Sequence, residues 1–388
     1  MNIATIVHVF YPESPGDPFN TLELSQRQVQ RDNTVHVFTW SRTGRPTVSD
    51  FGRGLIVERL RGPNLRIPFL FEEYPYLPSL GGKLIGRGFD VIHAHSHLFL
   101  TSLQAATACM KGRTPFVVTV HGVFAKRGFF TDIMQKAYLH TLGRRIFTLA
   151  SRVICVSKGD AYEVIALGCP ASKIRVIPNP VDGQQFRPGP SKRAEDEVLW
   201  VGRFVPEKGL EYLIKALKLI LAKRKITLRL VGDGPQRTRI ESLVKQLDLS
   251  KQVIFEGEVS YGEVARIMSE ASVFALPSIK EGLPKVLLEA MASELAIVSA
   301  AIPGVSEVIT NDENGLLVEP KSAEGLAKAI LTLLGDRSHV KRLGTNARRN
   351  VMQNYSWEST LKALDRVYEE ACVNDLRREC AGSASITH

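Results

Sequence analysis

The 388-residue sequence has only five cysteines, Cys109, Cys155, Cys169, Cys372 and Cys380, odd in number, scattered and without a C-x-x-C pair. That scarcity excludes a disulfide framework and a thiolate zinc site, and it fits reduced thiols in a cytoplasmic protein. Long hydrophobic runs are missing too. The uncharged stretch near Leu98–Met110 falls short of the roughly 18 apolar residues that span a bilayer. Ile3–Phe10 is apolar but has no basic leader and runs into Tyr11-Pro12, so it reads as a first strand and not as a signal peptide. No G-x-G-x-x-G fingerprint follows that strand, which excludes a dinucleotide enzyme. No G-x-x-x-x-G-K-[ST] loop occurs, which excludes a P-loop NTPase.

What is present is a globular composition, 44% hydrophobic and 23% charged. The length exceeds what one core usually supports, so two domains are expected. The net charge of +10 is uneven: residues 1–185 carry 21 Lys and Arg against 13 Asp and Glu, while residues 186–388 carry 29 against 27. The first half therefore faces an anionic partner or is a plain solvated basic surface. No RNA- or DNA-binding module accompanies the charge, so no specific nucleic acid is expected.

Short β-branched runs alternate with amphipathic stretches, the pattern of an α/β protein with parallel sheets. Strands are expected at Ile3–Val9, Val35–Trp40, Asp90–His93, Phe116–Val120, Arg152–Val156 and Ile174–Ile177. A helix is expected to start near Asn20, which has capping-box spacing with Glu23. The Pro- and Gly-rich stretch from Pro178 to Pro190 marks the boundary, with a first domain over 1–180 and a linker over 181–190. Beyond it strands at Val198–Gly202, Thr227–Val231, Val253–Glu256, Val273–Leu276 and Ala296–Ser299 alternate with helices, forming a second domain over 191–358. Residues 374–388 read as a disordered tail. Such sheets bind ligands beyond the carboxyl ends of their strands, so the site is expected in those loops, at a cleft between the halves.

Two of these loops carry a concentrated chemistry. Gly202-Arg203-Phe204-Val205-Pro206-Glu207-Lys208-Gly209 follows a strand and opens a helix. Arg203 supplies a planar fork and Lys208 a point charge, both suited to phosphate oxygens, unless they are merely two basic residues on a surface loop. Glu281-Gly282-Leu283-Pro284-Lys285-Val286-Leu287-Leu288-Glu289 places one carboxylate before a helix start at the proline and a second inside that helix. The free N–H groups of a helix start attract an anion, and the two acids suit the hydroxyls of a polyol. The plain alternative for Glu289 is a surface pair with Lys285. In the first half, His93, His95 and His97 alternate, but no matching carboxylate or cysteine ligand lies at short spacing, so structural hydrogen bonding is expected and a metal is not. His121 ends a strand before Gly122 and is the better candidate for handling a hydroxyl or proton. Residues 124–147 mix basic and bulky apolar side chains, as either an interfacial helix or an ordinary packed one would. Pro63–Pro78, with Phe69, Phe71, Tyr74 and Tyr76, is a second loop of that kind.

Together these segments resemble the retaining glycosyltransferases of family 4. The matching pieces are Asp90–His95, Thr119–Gly122, Val156-Ser157-Lys158, Ile177–Asp182, Gly202–Gly209, Val231–Pro235, Glu281–Ala292 and Pro303–Glu307. The resemblance implies the GT-B fold, two Rossmann-like parallel-sheet domains facing a central cleft, with a last helix (residues 359–373) crossing back to the first. It implies that Arg203 and Lys208, beside Gly202, hold the diphosphate of a nucleotide-sugar, and that Glu289 bonds the ribose. Glu281, with Gly282 and the N–H of Leu283, would hold the donor sugar, and His121 would lie by the incoming hydroxyl. Gly16 matches one of the family's two glycines after the first strand. Its neighbours Asp17 and Pro18 depart from the pattern, because an acid repels phosphate and proline removes a donor. The expected activity is hexose transfer with retention from a UDP-sugar, or a GDP-sugar, to a lipid-linked or saccharide acceptor, without metal or cofactor. Its expected place is the cytoplasm, including the cytoplasmic face of an anionic membrane. The alternative is a nucleotide-sugar-binding protein of the same fold that transfers nothing.

Overall fold

The computed structural model describes residues 1–12, 17–65, 73–123, 129–189 and 196–384. The chain forms two units, Met1–Ile177 with the segment from Leu361 onward, and Pro178–Thr360. Pro178–Gly189, which spans the end of the expected first domain and its linker, thus belongs to the second unit. There Val181 N–H donates to the Tyr355 carbonyl at 2.9 Å.

The first unit is built on eight strands: β1 (Asn2–Ile6), β2 (Thr34–Trp40), β3 (Thr47–Asp50), β4 (Leu55–Leu60), β5 (Val91–His95), β6 (Phe116–Val120), β7 (Arg152–Cys155) and β8 (Ile174–Val176). Their order is β3-β4-β2-β1-β5-β6-β7-β8, and among these described strands only the β3–β4 pair is antiparallel. Helices cover both faces of such a sheet, so its strands read as continuous apolar runs; Phe116–Val120 is buried throughout. Alternate residues of β1 serve separate cores: Ala4 and Ile6 join one, Ile3 the other. The second core is closed by Leu364, Val367, Tyr368 and Ala371 of the last helix. Arg152 and Arg175 both bond Glu370 of that helix, at 2.8 and 2.5 Å.

Several boundaries differ from the sequence reading. β1 stops at Ile6. The first helix starts at Asp17, with Asn20 inside its first turn, because Pro18 is tolerated where N–H groups have no intrahelical partner. The hairpin β3–β4 is additional, its turn made by Gly52, Arg53 and Gly54 at φ of 81°, 54° and 95°. The last helix runs Trp357–Ala384, so it includes residues 374–384, expected as a tail. Leu376, Arg377, Arg378 and Glu379 favour helix and extend an existing one without a new nucleus. Residues 385–388 lie outside the described residues.

The second unit holds β9 (Glu197–Val201), β10 (Thr227–Val231), β11 (Val253–Gly257), β12 (Val273–Leu276), β13 (Ala296–Ala300) and β14 (Leu316–Val318). All are parallel, in the order β11-β10-β9-β12-β13-β14. The chain works outward from β9, then restarts on its other side at β12. This reversal is a topological switch point, where loops diverge to opposite faces and leave a crevice. Among the described residues no helix is long and apolar enough to cross a membrane. Cys109, Cys155, Cys169 and Cys372 form no disulfide.

Candidate active site

The two chemistry-bearing loops leave adjacent strands of the second unit. Val198 and Leu199 of β9 pair with Val273 and Phe274 of β12, so the loop after each emerges on the same sheet edge at the switch point. Two contacts staple them, and a third, inside the loop after β12, holds the shared carboxylate. Ile279 N–H donates to the Glu207 carbonyl at 2.7 Å. Lys208 Nζ bonds Glu281 Oε1 at 2.6 Å, and Ser278 Oγ donates to the same oxygen at 2.7 Å. Gly209, at φ +61°, starts the helix Leu210–Leu221, and a Cβ there would lie 2.2 Å from the Pro277 carbonyl oxygen. The backbones approach so closely that only glycine fits.

Two further turns brace this pair of loops. A Cβ on Gly232, after β10, would lie 2.0 Å from the Gly202 carbonyl oxygen. One on Gly304, in the turn after β13, would lie 1.4 Å from the Gly282 carbonyl oxygen. Gly202, Arg203, Lys208, Glu281, Gly282 and Leu283 thus form one constellation.

Within it the residues differ in state. Arg203 is exposed and has no ion pair among the described residues. Lys208 and Glu281 are mostly shielded, with side chains 19% and 14% exposed, and neutralise each other. Leu283 is buried, and its carbonyl accepts from Asn179 Nδ2 at 2.9 Å. Asn179 was legible only as part of a Pro-Asn-Pro linker; its role in holding this loop needed the fold.

Pro284 is the N-cap of the helix Lys285–Ala292 and not its first residue. Glu289 does not lie off the buried stripe. It is 5% exposed, because Leu287, Leu288, Ala290, Met291 and Ala292 are buried too and that end of the helix has no solvent face. This rules out the surface-pair reading. Its Oε1 accepts from Tyr261 Oη at 2.6 Å, with Lys285 Nζ at 3.7 Å.

His121, half-buried, belongs to the first unit, just past β6. Its ring stacks over His95 (centroids 5.8 Å apart, planes 16°), and His95 packs on His93 at 4.5 Å. His93 Nδ1 lies 2.8 Å from Tyr368 Oη and its Nε2 2.7 Å from Thr119 Oγ1. Gln28 Nε2 also donates to Tyr368 Oη, at 3.0 Å. Burial pushes His93 and His97 down to about 3, and His95 well below the ordinary 6.5, and the His121 charge adds to each. His36 is lowered for the same first reason.

The unfolded chain therefore takes protons that the folded unit refuses. Stability present above pH 6.5 is lost as pH falls from there toward about 3, at about 1.4 kcal/mol per pH unit per histidine. Glu197 is raised by burial and opposes this. Thermal unfolding measured from pH 7.5 down to 5 should show a falling midpoint, and His95→Leu should make the fall shallower. An unchanged slope would show that these histidines do not set it.

Gly16 lies outside the described residues, as do residues 124–128 and 66–72, which hold Phe69 and Phe71. Tyr74 is buried and Tyr76 exposed. Between Phe129 and Leu149 the chain is helical, with a π-helical turn at Leu139–Gly143. Leu139, Ile146 and Phe147 pack inward, while Ile133, Met134 and Leu142 are exposed beside Lys136, Arg144 and Arg145.

Two family models match the chain: the family 4 glycosyltransferases over residues 20–185 and the glycosyl transferases group 1 over residues 182–350. An uncharacterized glycosyltransferase of Methanocaldococcus jannaschii is 30% identical over 299 residues, covering 73% of this chain and 76% of that protein. The phosphatidylinositol N-acetylglucosaminyltransferase gpi3 subunit of Schizosaccharomyces pombe is 25% identical over 377 residues, 95% of this chain and 80% of that one. Among solved structures, Anabaena HepE in complex with UDP-glucose superposes with a TM-score of 0.75 at 21% identity, covering 95% of this chain and 98% of that chain.

Proposed function

The chain belongs to glycosyltransferase family 4 and has the GT-B fold, and on that premise we propose that it moves a hexose, with retention, from a nucleotide-sugar to an acceptor hydroxyl. The observation that carries this reading is the shared edge of β9 and β12, where Lys208 and Glu281 meet at 2.6 Å and Arg203 stands exposed on the same loop as Lys208.

Breaking a glycosyl–phosphate bond leaves negative charge on the diphosphate and positive character on the sugar. Arg203 and Lys208 are preorganised cations for the first, and they serve in place of a divalent ion. The N–H groups of Gly282 and Leu283, with the Glu281 carboxylate, take the sugar hydroxyls. Glu289 takes the ribose. Retention follows from attack on the face the leaving group departs from: the acceptor oxygen bonds the anomeric carbon as the phosphate oxygen leaves and accepts the acceptor's proton. His121 is the group we assign to the incoming hydroxyl.

A UDP-sugar is favoured over a GDP-sugar because HepE is described with UDP-glucose. The acceptor is lipid-linked or a saccharide. The name of the fission yeast relative carries a phosphatidylinositol, and the exposed Ile133, Met134, Lys136, Arg144 and Arg145 suit an anionic membrane surface on the cytoplasmic side.

The test is a thermal-shift screen of uridine, guanosine and adenosine diphosphate sugars, followed by transfer assays to lipid-linked and saccharide acceptors with and without EDTA. A matching donor at a hundred times its Kd adds about 2.7 kcal/mol of stability. A UDP-sugar should raise Tm, and transfer should persist in EDTA. No shift with any of the three, or abolition by EDTA, would overturn the donor or the metal-free part of the reading.

A further inference from the structure

We propose that Tyr261 is a positioning residue for Glu289, and that this pair makes the protein prefer ribonucleotides over 2′-deoxyribonucleotides. The inference rests on the reading of Glu289 as the ribose group and adds the residue that orients it.

Glu289 is an acid in a helix whose neighbours from Leu287 to Ala292 are otherwise apolar and buried. A carboxylate withdrawn from water in such a place must be compensated. Lys285 and Tyr261 both contribute, in different ways. Lys285 Nζ lies 3.7 Å from Oε1, beyond good hydrogen-bond distance, and 4.7 Å from the centre of the Tyr261 ring. It offsets charge and packs on the ring without dictating how the carboxylate turns. Tyr261 Oη, at 2.6 Å from Oε1, makes a short charge-assisted bond. That bond has direction, so it sets the plane of the carboxylate.

The tyrosine is itself held. Phe186, fully buried, meets its ring edge-on at 5.1 Å and 67°. Ser260 caps the helix Tyr261–Glu270 by accepting from Glu263 N–H, which places Tyr261 at the first helical position beyond β11. Tyr261 therefore stands beyond the carboxyl end of β11, as the Lys208 and Glu281 loops stand beyond those of β9 and β12. A vicinal diol needs two acceptor directions from one carboxylate. A carboxylate that can rotate offers them only part of the time; one clamped at Oε1 offers them constantly. If Tyr261 merely tied two helices together, an apolar contact like its neighbours would suffice, with no buried charge to compensate.

The experiment compares UDP with 2′-deoxy-UDP (or GDP with 2′-deoxy-GDP, if guanosine binds better) by calorimetric titration on wild type, Tyr261→Phe and Glu289→Gln. Tyr261→Phe keeps the ring and its contact with Phe186, and a single cooperative unfolding transition verifies the fold. Wild type should favour the ribonucleotide by roughly ten- to a hundredfold, the scale of hydrogen bonds to a charged group. Tyr261→Phe should shrink that preference to about threefold or less while leaving the deoxynucleotide's Kd unchanged. Equal weakening of both nucleotides, or an intact preference, would overturn the inference while a loss in Glu289→Gln keeps the ribose reading. A wild type that binds UDP without any ribose preference overturns the ribose reading itself, and one that binds neither nucleotide overturns the proposed function; in both cases this inference falls too.

Discussion

Lys208→Ala should lower turnover by about a hundredfold or more, the size of effect seen when one preorganised charge partner of a transition state is removed. The residue has two roles that the variant separates. In the resting site it neutralises Glu281 at 2.6 Å, with both side chains largely shielded. In the proposed reaction it would meet the charge growing on the leaving diphosphate. Removing it leaves the Glu281 carboxylate with the Ser278 hydroxyl, whose Oγ donates to it at 2.7 Å. Breaking a fully buried pair costs about 3–5 kcal/mol, so a partly shielded one should cost about 2 kcal/mol. Adding Glu281→Gln removes the stranded charge. The double variant should regain most of the lost Tm but none of the lost turnover. Steady-state rates beside thermal unfolding check both parts, and a Lys208→Ala enzyme with undiminished transfer would sink the assignment.

Gly304→Ala is expected to be nearly as damaging, although Gly304 carries no functional group. The added carbon would lie 1.4 Å from the Gly282 carbonyl oxygen, 2.6 Å from its carbon and 3.1 Å from the Glu281 carbonyl oxygen. Backbone cannot swing aside as a side chain can, so the Glu281–Leu283 loop must shift. A displacement of about 1 Å in a reacting site costs about a hundredfold in rate, and overpacking costs about 1–3 kcal/mol. Gly335→Ala is the control, since a Cβ there meets nothing within 4 Å. The prediction is a fall in kcat/KM of about a hundredfold for Gly304→Ala and none for Gly335→Ala. Full activity in the first would mean that the loop's position does not govern catalysis.

Much of this site could be read before folding was considered, but its parts were legible to different degrees. Arg203 and Lys208 stand between a strand and a helix whose periodicities are local, and Glu281 stands between the next such pair. Their partners were not legible. Lys208 reaches Glu281 across 73 residues, Asn179 reaches Leu283 across 104, and Tyr261 reaches Glu289 across 28. The Asn179 side chain looked like linker, and Tyr261 like any residue at a helix start. Glu289 looked exposed because one helix seen alone has a polar side, and the sheet and neighbouring helices removed it.

By itself the sequence determined the alternation of strand and helix, a change of unit within the Pro- and Gly-rich stretch from Pro178 to Pro190, and which loops carry the charges. These follow from residue periodicity and from glycine and proline, which act within a few positions. Only the tertiary structure decided that the loops after β9 and β12 are neighbours, that Lys208 rests on Glu281, and that Glu289 is buried under Tyr261. Each depends on the strand order β11-β10-β9-β12-β13-β14. That order is a property of how crossover helices pack on both faces of a twisted sheet, and no short stretch of residues contains it.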